Sequence, residues 1–155
     1  MTYTRFVAMV STAGIVMYGL MYANTYAAEH IWFSQTRLWM AVIMSAAMAL
    51  LMLGFMLKMY RNSRANAAIA FISVIALVVA LWLVRSQSTV DDISYMKAMI
   101  PHHSIAVLTS ERARIRDPRV RKLADGIIAT QLKEIREMDL LIADLQRREH
   151  SDPAN

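Results

Sequence analysis

Residues 67–84 read AAIAFISVIALVVALWLV, an apolar run without charge between Arg64 and Arg85. A helix of this length crosses the ~30 Å hydrocarbon core of a bilayer. A second uncharged run extends from about residue 38 to residue 57, and a third apolar segment from about 6 to 22. The sequence therefore predicts an integral membrane protein with three transmembrane helices (about 6–22, 38–57 and 67–84) and the lipid bilayer as a partner.

The two parts of the chain differ in charge. Residues 1–84 carry five Lys or Arg and one acid, whereas residues 85–155 carry twelve Lys or Arg and eleven acids. A nearly neutral polar part argues against a nucleic-acid partner, whose binding needs basic charge on the polar domain. The absence of cysteine excludes disulfides and thiolate metal sites. We divide the chain into a membrane domain (1–86), a helical hairpin domain (87–149) and a disordered tail (150–155).

Positive charge in the short loops predicts the orientation. Loop 58–66 contains Lys58, Arg61 and Arg64 without an acid, whereas loop 24–37 contains one Arg and one Glu. Because basic loops stay in the cytoplasm, we expect a cytoplasmic N-terminus and a C-terminal domain outside. An alternative is that residues 1–28 form a cleaved signal peptide, which places the C-terminal domain on the same side.

Helix signals continue beyond the apolar part. Asp117-Pro118 is typical of an N-cap followed by proline at the first helical position. It separates two amphipathic segments and so predicts an antiparallel helical hairpin. The stripe at the seam runs Met96, Met99, His103, Ala106 and Ser110 in the first helix, and Ala124, Ile127, Gln131, Glu134, Met138, Leu141 and Leu145 in the second.

The unusual residues of both helices are predicted to meet in one layer, with His103 opposite Gln131. Pro101 lies immediately before His102 and is predicted to kink the helix, because it lacks an N–H donor. One interpretation is a polar layer in which His103 is hydrogen-bonded to Gln131 and Glu134, with methionine as apolar filler. The other is a Met/His site, since thioether and imidazole together suit copper, especially Cu(I). The pattern alone leaves both interpretations open.

Methionine and histidine also occur in the membrane part. A repeat of one methionine every four residues covers Met40, Met44, Met48, Met52 and Met56. We interpret this repeat as packing, with a thioether track for a soft ion as the alternative. His30, near Trp32, is interpreted as a residue of the membrane interface, with an accessory metal ligand as the alternative.

Two motifs of the hairpin resemble a known family. They are Met99-Ile-Pro-His-His103 and Gln131-Leu-Lys-Glu134-Ile-Arg-Glu-Met138. Together they are similar to the signature of the ferritin-like domain of unknown function 305 family, which includes periplasmic copper-binding proteins of the CopM type. The resemblance covers about residues 90–146, and the membrane part resembles a membrane-anchored branch of the family. It implies metal ligands at Met99, His102, His103 and Met138, with Met96 and Glu134 as secondary candidates.

The expected fold is all-α: three transmembrane helices followed by an antiparallel two-helix hairpin, half of a ferritin-like four-helix bundle. Because two helices form a thin core, we expect a homodimer. The resemblance implies a multi-pass protein of the bacterial inner membrane with a periplasmic C-terminal domain.

The expected function is binding of copper or a similar soft metal, for storage, buffering or hand-over. The alternative is a metal-free membrane interaction or assembly subunit whose polar seam specifies helix pairing. An enzyme is not expected, because the sequence shows no nucleophile–base pair. Neither Glu111 nor Glu134 is followed three residues later by the histidine of a di-iron site.

Overall fold

The computed structural model describes residues 2–151, which form five α-helices and two short 3-10 turns without a strand. The helices are α1 (Tyr3–Leu20), α2 (Gln35–Phe55), α3 (Ser63–Ser86), α4 (Asp92–Arg112) and α5 (Pro118–Ser151). The turns cover Ala28–His30 and Leu57–Met59. The predicted all-α fold is thereby confirmed for the described residues.

The chain divides into two compact units. The apolar unit comprises Met1–Met21 and Gln35–Thr89, and the hairpin unit comprises Tyr22–Ser34 and Val90–Asn155. The domain boundary predicted at residue 86 lies close to this division. Loop 22–34, however, belongs with the hairpin rather than with the membrane domain to which the sequence assigns it. It does so because His30 is buried and its ring contacts Ser104 of α4.

Two helices of the apolar unit are long and apolar enough to cross a membrane. These are α2 and α3, whose most apolar 18-residue segments have mean hydropathies of 2.2 and 2.9. The prediction of three such helices is therefore confirmed for two and wrong for α1. The reason is local: α1 begins early enough to include Arg5, and Ser11 and Thr12 interrupt its apolar run.

Helix α1 nevertheless packs closely on α2. A Cβ atom added to Gly14 would lie 2.5 Å from Ser45 Oγ, so the two helices approach where α1 has no side chain. Further along, Phe6 of α1 belongs to a buried cluster with Ala49 and Leu53 of α2. Helix α1 is thus held to the apolar unit by tertiary contacts as well as by its own hydrophobicity.

Helices α4 and α5 form the predicted hairpin, and each is capped at its start. Asp91 Oδ1 accepts a hydrogen bond from Ser94 N at 2.6 Å, and this bond holds the pKa of the Asp91 carboxyl below its ordinary value. Asp117 Oδ1 accepts from Arg119 N at 2.8 Å, in agreement with the predicted cap. Pro101 is buried inside α4, and the helix continues through it.

The end of α5 lies further along the chain than the sequence predicts. The predicted disordered tail begins at residue 150, but His150 and Ser151 continue the helix. His150 Nδ1 donates to the carbonyl oxygen of Gln146 at 2.7 Å, which stabilises this last turn. Residues 152–155 of the predicted tail lie outside the described residues.

Candidate functional site

A groove on the hairpin unit collects most of the candidate site residues. It lies between α4 and α5 and has a volume of about 650 Å³. Five of the six candidate metal ligands line it: Met96, Met99, His103, Glu134 and Met138. The fold thus brings residues from both sequence motifs to a single surface.

The imidazole of His103 is fixed by two contacts. Its Nδ1 donates to the carbonyl oxygen of Met99, one turn earlier in α4, at 3.0 Å. In the neutral ring Nε2 therefore carries the lone pair, and it lies 3.2 Å from Glu134 Oε2. Two acceptor atoms at this distance repel each other unless a proton or a metal cation lies between them. A proton on Nε2 turns this contact into a charge-assisted hydrogen bond between α4 and α5.

The methionines of the groove differ in exposure. Met96 and Met138 are 7% and 9% exposed, whereas Met99 is half-buried. The core cluster of the hairpin contains both buried methionines together with Ile100, Ile135 and Ile142. Filling an aliphatic cluster is an ordinary role of methionine, so packing alone accounts for this burial. The same two residues also line the groove, and thioether sulfur is a soft metal ligand.

His102 and Gln131 lie away from the groove. His102 is exposed, with its ring centroid 6.2 Å from that of His103, because adjacent residues of a helix point about 100° apart. Of the two partners predicted for His103, Glu134 contacts the ring, whereas Gln131 lies outside the groove. Side chains of an α-helix lean toward its N-terminus. Because α4 and α5 are antiparallel, the His103 side chain therefore reaches a residue nearer the C-terminus of α5 than the residue directly opposite its own backbone.

Charged side chains surround the groove. Asp92, Glu137 and Asp144 line it together with Arg148, which pairs with Asp144 at 2.7 Å. With Glu134 included, four carboxylates and one guanidinium face this space. Their field attracts cations and repels anions.

The groove offers soft donor atoms beside its carboxylates. Within residues 2–151, no group of three or more His, Asp or Glu side chains could hold a metal ion, and the chain has no cysteine. The methionines that line the groove add thioether sulfur to its imidazole and carboxylate donors. Thioether and imidazole, assisted by one carboxylate, are a donor set that suits Cu(I).

Loop 22–34, here called the strap, docks on α4 through buried polar contacts. Ser104 Oγ is fully buried, accepts a hydrogen bond from Tyr26 N at 2.7 Å and lies 2.9 Å from His30 Nδ1. Trp32 packs against the core cluster, with Lys97 Nζ 5.3 Å from its ring centroid. His30, interpreted from the sequence as a residue of the membrane interface, is therefore a buried part of the hairpin unit.

The strap also changes the electrostatics of α5. Burial raises the pKa of the Asp139 carboxyl above its ordinary value; the charge of His30 opposes this shift, and that of Glu29 adds to it. Sequence reasoning missed this cluster because its contacts join residues 74 and 78 positions apart, beyond any helical repeat.

The chain is similar to known proteins. The family described as Domain of unknown function (DUF305) matches residues 92–155. A relative from Acanthamoeba polyphaga mimivirus, described as "Uncharacterized protein L153", is 35% identical over 102 residues, which cover 61% of this chain and 67% of the relative. No solved structure matches the chain.

Proposed function

This chain belongs to the family described as Domain of unknown function (DUF305), and we propose that its hairpin binds copper or a similar soft metal in the Met/His groove. The His103–Glu134 contact carries the proposal, because its two facing acceptor atoms require a proton or a cation between them. A bound Cu(I) ion supplies that cation, with the groove methionines as further ligands. The role is storage, buffering or hand-over of the metal, without catalysis.

The first test measures metal retention. Purified full-length protein is expected to keep Cu(I) through a desalting column in a reducing buffer. His103→Ala should lose most of the bound metal, because it removes the only imidazole of the groove. His102→Ala is the matched control, since this neighbouring ring is exposed and lies outside the groove. A parent protein that elutes without copper, or equal loss in both variants, would contradict the site.

A metal-free role is the second candidate function. It is supported by the burial of Met96 and Met138 among isoleucines, where both side chains have apolar partners without any metal. A proton shared between His103 and Glu134 then joins α4 to α5, and the polar seam specifies helix pairing in an interaction or assembly subunit. The two candidates differ in what Met138 does, and substitution of this residue separates them.

We further propose that the apolar unit anchors the chain in the bacterial inner membrane. Only 22% of the apolar 18-residue segment of α2 and 11% of that of α3 are buried, so most of this apolar surface is available to lipid. Helix α1 packs on α2 at Gly14 and belongs to the same apolar unit.

The proposed orientation has its own test. A reporter that is active only in the periplasm is expected to be active when fused after Asn155. The same reporter inserted in loop 58–66 should be inactive, because Lys58, Arg61 and Arg64 retain that loop in the cytoplasm. The reverse pattern of activities would reject both the orientation and the periplasmic location.

We also propose that two copies associate through their hairpins. The core cluster of one hairpin contains five buried residues, a small core for a domain of this size. Two hairpins that pack together form a four-helix bundle with a larger shared core.

A further inference from the structure

The turn between α4 and α5 carries a local excess of positive charge. Residues 111–123, here called the basic tip, contain six basic and two acidic residues, whereas the rest of residues 85–155 contains six basic and nine acidic ones. The groove between the helices is lined by four carboxylates and one guanidinium, which repel anions. An anionic partner of the hairpin unit is therefore attracted to the basic tip.

Most cations of the basic tip are available to such a partner. Arg119 pairs with Asp117 and Arg121 pairs with Asp125, each at 2.8 Å. The other four cations are exposed, and none has an acidic side chain within 4 Å among residues 2–151: Arg112, Arg114, Arg116 and Lys122. Like charges this close in the chain repel one another, and an anionic surface relieves this repulsion.

Exposed apolar side chains lie among these cations. Val120 and Leu123 are 48% and 65% exposed and lie three residues apart in α5, so they share one face of the helix. Leu123 lines a shallow depression on α5 together with Arg119 and Lys122. Cations beside exposed apolar side chains are typical of helices that bind the interface of an anionic bilayer. A purely charged polymer offers these side chains no apolar medium.

We propose that the basic tip binds the surface of an anionic phospholipid membrane. The four unpaired cations contact the lipid phosphate groups, and Val120 and Leu123 enter between the head groups. Helix α4 has 21 residues and places the basic tip about 31 Å from the start of the hairpin. This contact goes beyond the proposed metal binding and is separate from the membrane anchoring by α2 and α3.

The test places the full-length protein in nanodiscs of phosphatidylcholine and measures its flotation with vesicles that are added afterwards. Vesicles of phosphatidylglycerol are expected to carry the protein, and vesicles of phosphatidylcholine are not. Binding should weaken as salt is raised, because salt screens exposed charges.

Two pairs of variants locate the contact. Arg114→Gln/Arg116→Gln should weaken binding more than tenfold, since each cation near an anionic surface contributes about fivefold. Lys133→Gln/Arg136→Gln is the matched control, because it removes two exposed cations of α5 outside the basic tip. Leu123→Ser should also weaken binding, whereas Leu140→Ser, at a 72% exposed position further along α5, should not.

Three results would overturn the inference. A parent protein that does not float with phosphatidylglycerol vesicles at low salt has no such lipid contact. Equal weakening in the two double variants removes the basic tip as the binding surface. If Leu123→Ser binds like the parent, no apolar side chain enters the membrane, and a soluble polyanion becomes the better partner.

Discussion

Met138→Leu is expected to abolish the increase in thermal midpoint that Cu(I) gives the parent protein. A ligand bound only by the folded state stabilises it by mass action, by about 2.7 kcal/mol at a free concentration 100 times the Kd. Leucine has no sulfur lone pair, so the variant loses one soft ligand from the groove. Thermal unfolding with and without Cu(I) measures the effect.

The same substitution is expected to be nearly silent without metal. Met138 is buried in an aliphatic cluster, and exchange of methionine for leucine conserves volume and polarity, with a cost below ~1.5 kcal/mol. Met52→Leu is the matched control, because it makes the same exchange against the core of the apolar unit and should keep the full copper effect. If Met138→Leu is stabilised by Cu(I) as much as the parent, Met138 is packing only and the metal-free role becomes the better explanation.

Ser104→Val is expected to release the strap from the hairpin. Valine leaves Tyr26 N–H and His30 Nδ1 without their buried partner, and its extra carbon atom must also fit at a fully buried position. A buried polar group that loses its partner costs about 1–3 kcal/mol, so the free energy of unfolding of the hairpin unit should fall by at least that amount. Hydrogen exchange of the full chain should show faster exchange of backbone amides in residues 22–34.

Ser110→Val separates the loss of these hydrogen bonds from the effect of valine in a helix. Ser110 also lies in α4 and is only half-buried, so this control carries the same change in helix propensity without the contacts of Ser104. It should leave exchange of the strap unchanged. Equal protection of the strap in the parent and in Ser104→Val would show that the two hydrogen bonds do not hold it in place.

The helices themselves could be predicted because their causes are local. The uncharged runs 38–57 and 67–84 overlap α2 and α3, and Asp117-Pro118 marks the start of α5 as predicted. Hydrophobicity, capping and proline geometry act within a few residues of one another, so one sequence suffices to evaluate them. Local evidence failed at α1. Arg5 lies inside this helix, and the span predicted at residues 6–22 is less apolar than the two helices that are apolar enough to cross a membrane.

The sequence by itself determined which residue types meet in the hairpin, whereas the tertiary structure decided their partners. The helical repeat places Met96, Met99 and His103 on one stripe, but the lean of side chains toward each helix N-terminus decides that His103 contacts Glu134 rather than Gln131. Docking of the strap on Ser104 depends on packing between residues more than 70 positions apart, which no local pattern records. Helix geometry also explains why His102 is exposed. Adjacent residues of a helix cannot face the same neighbour, so His103 faces α5 and His102 does not.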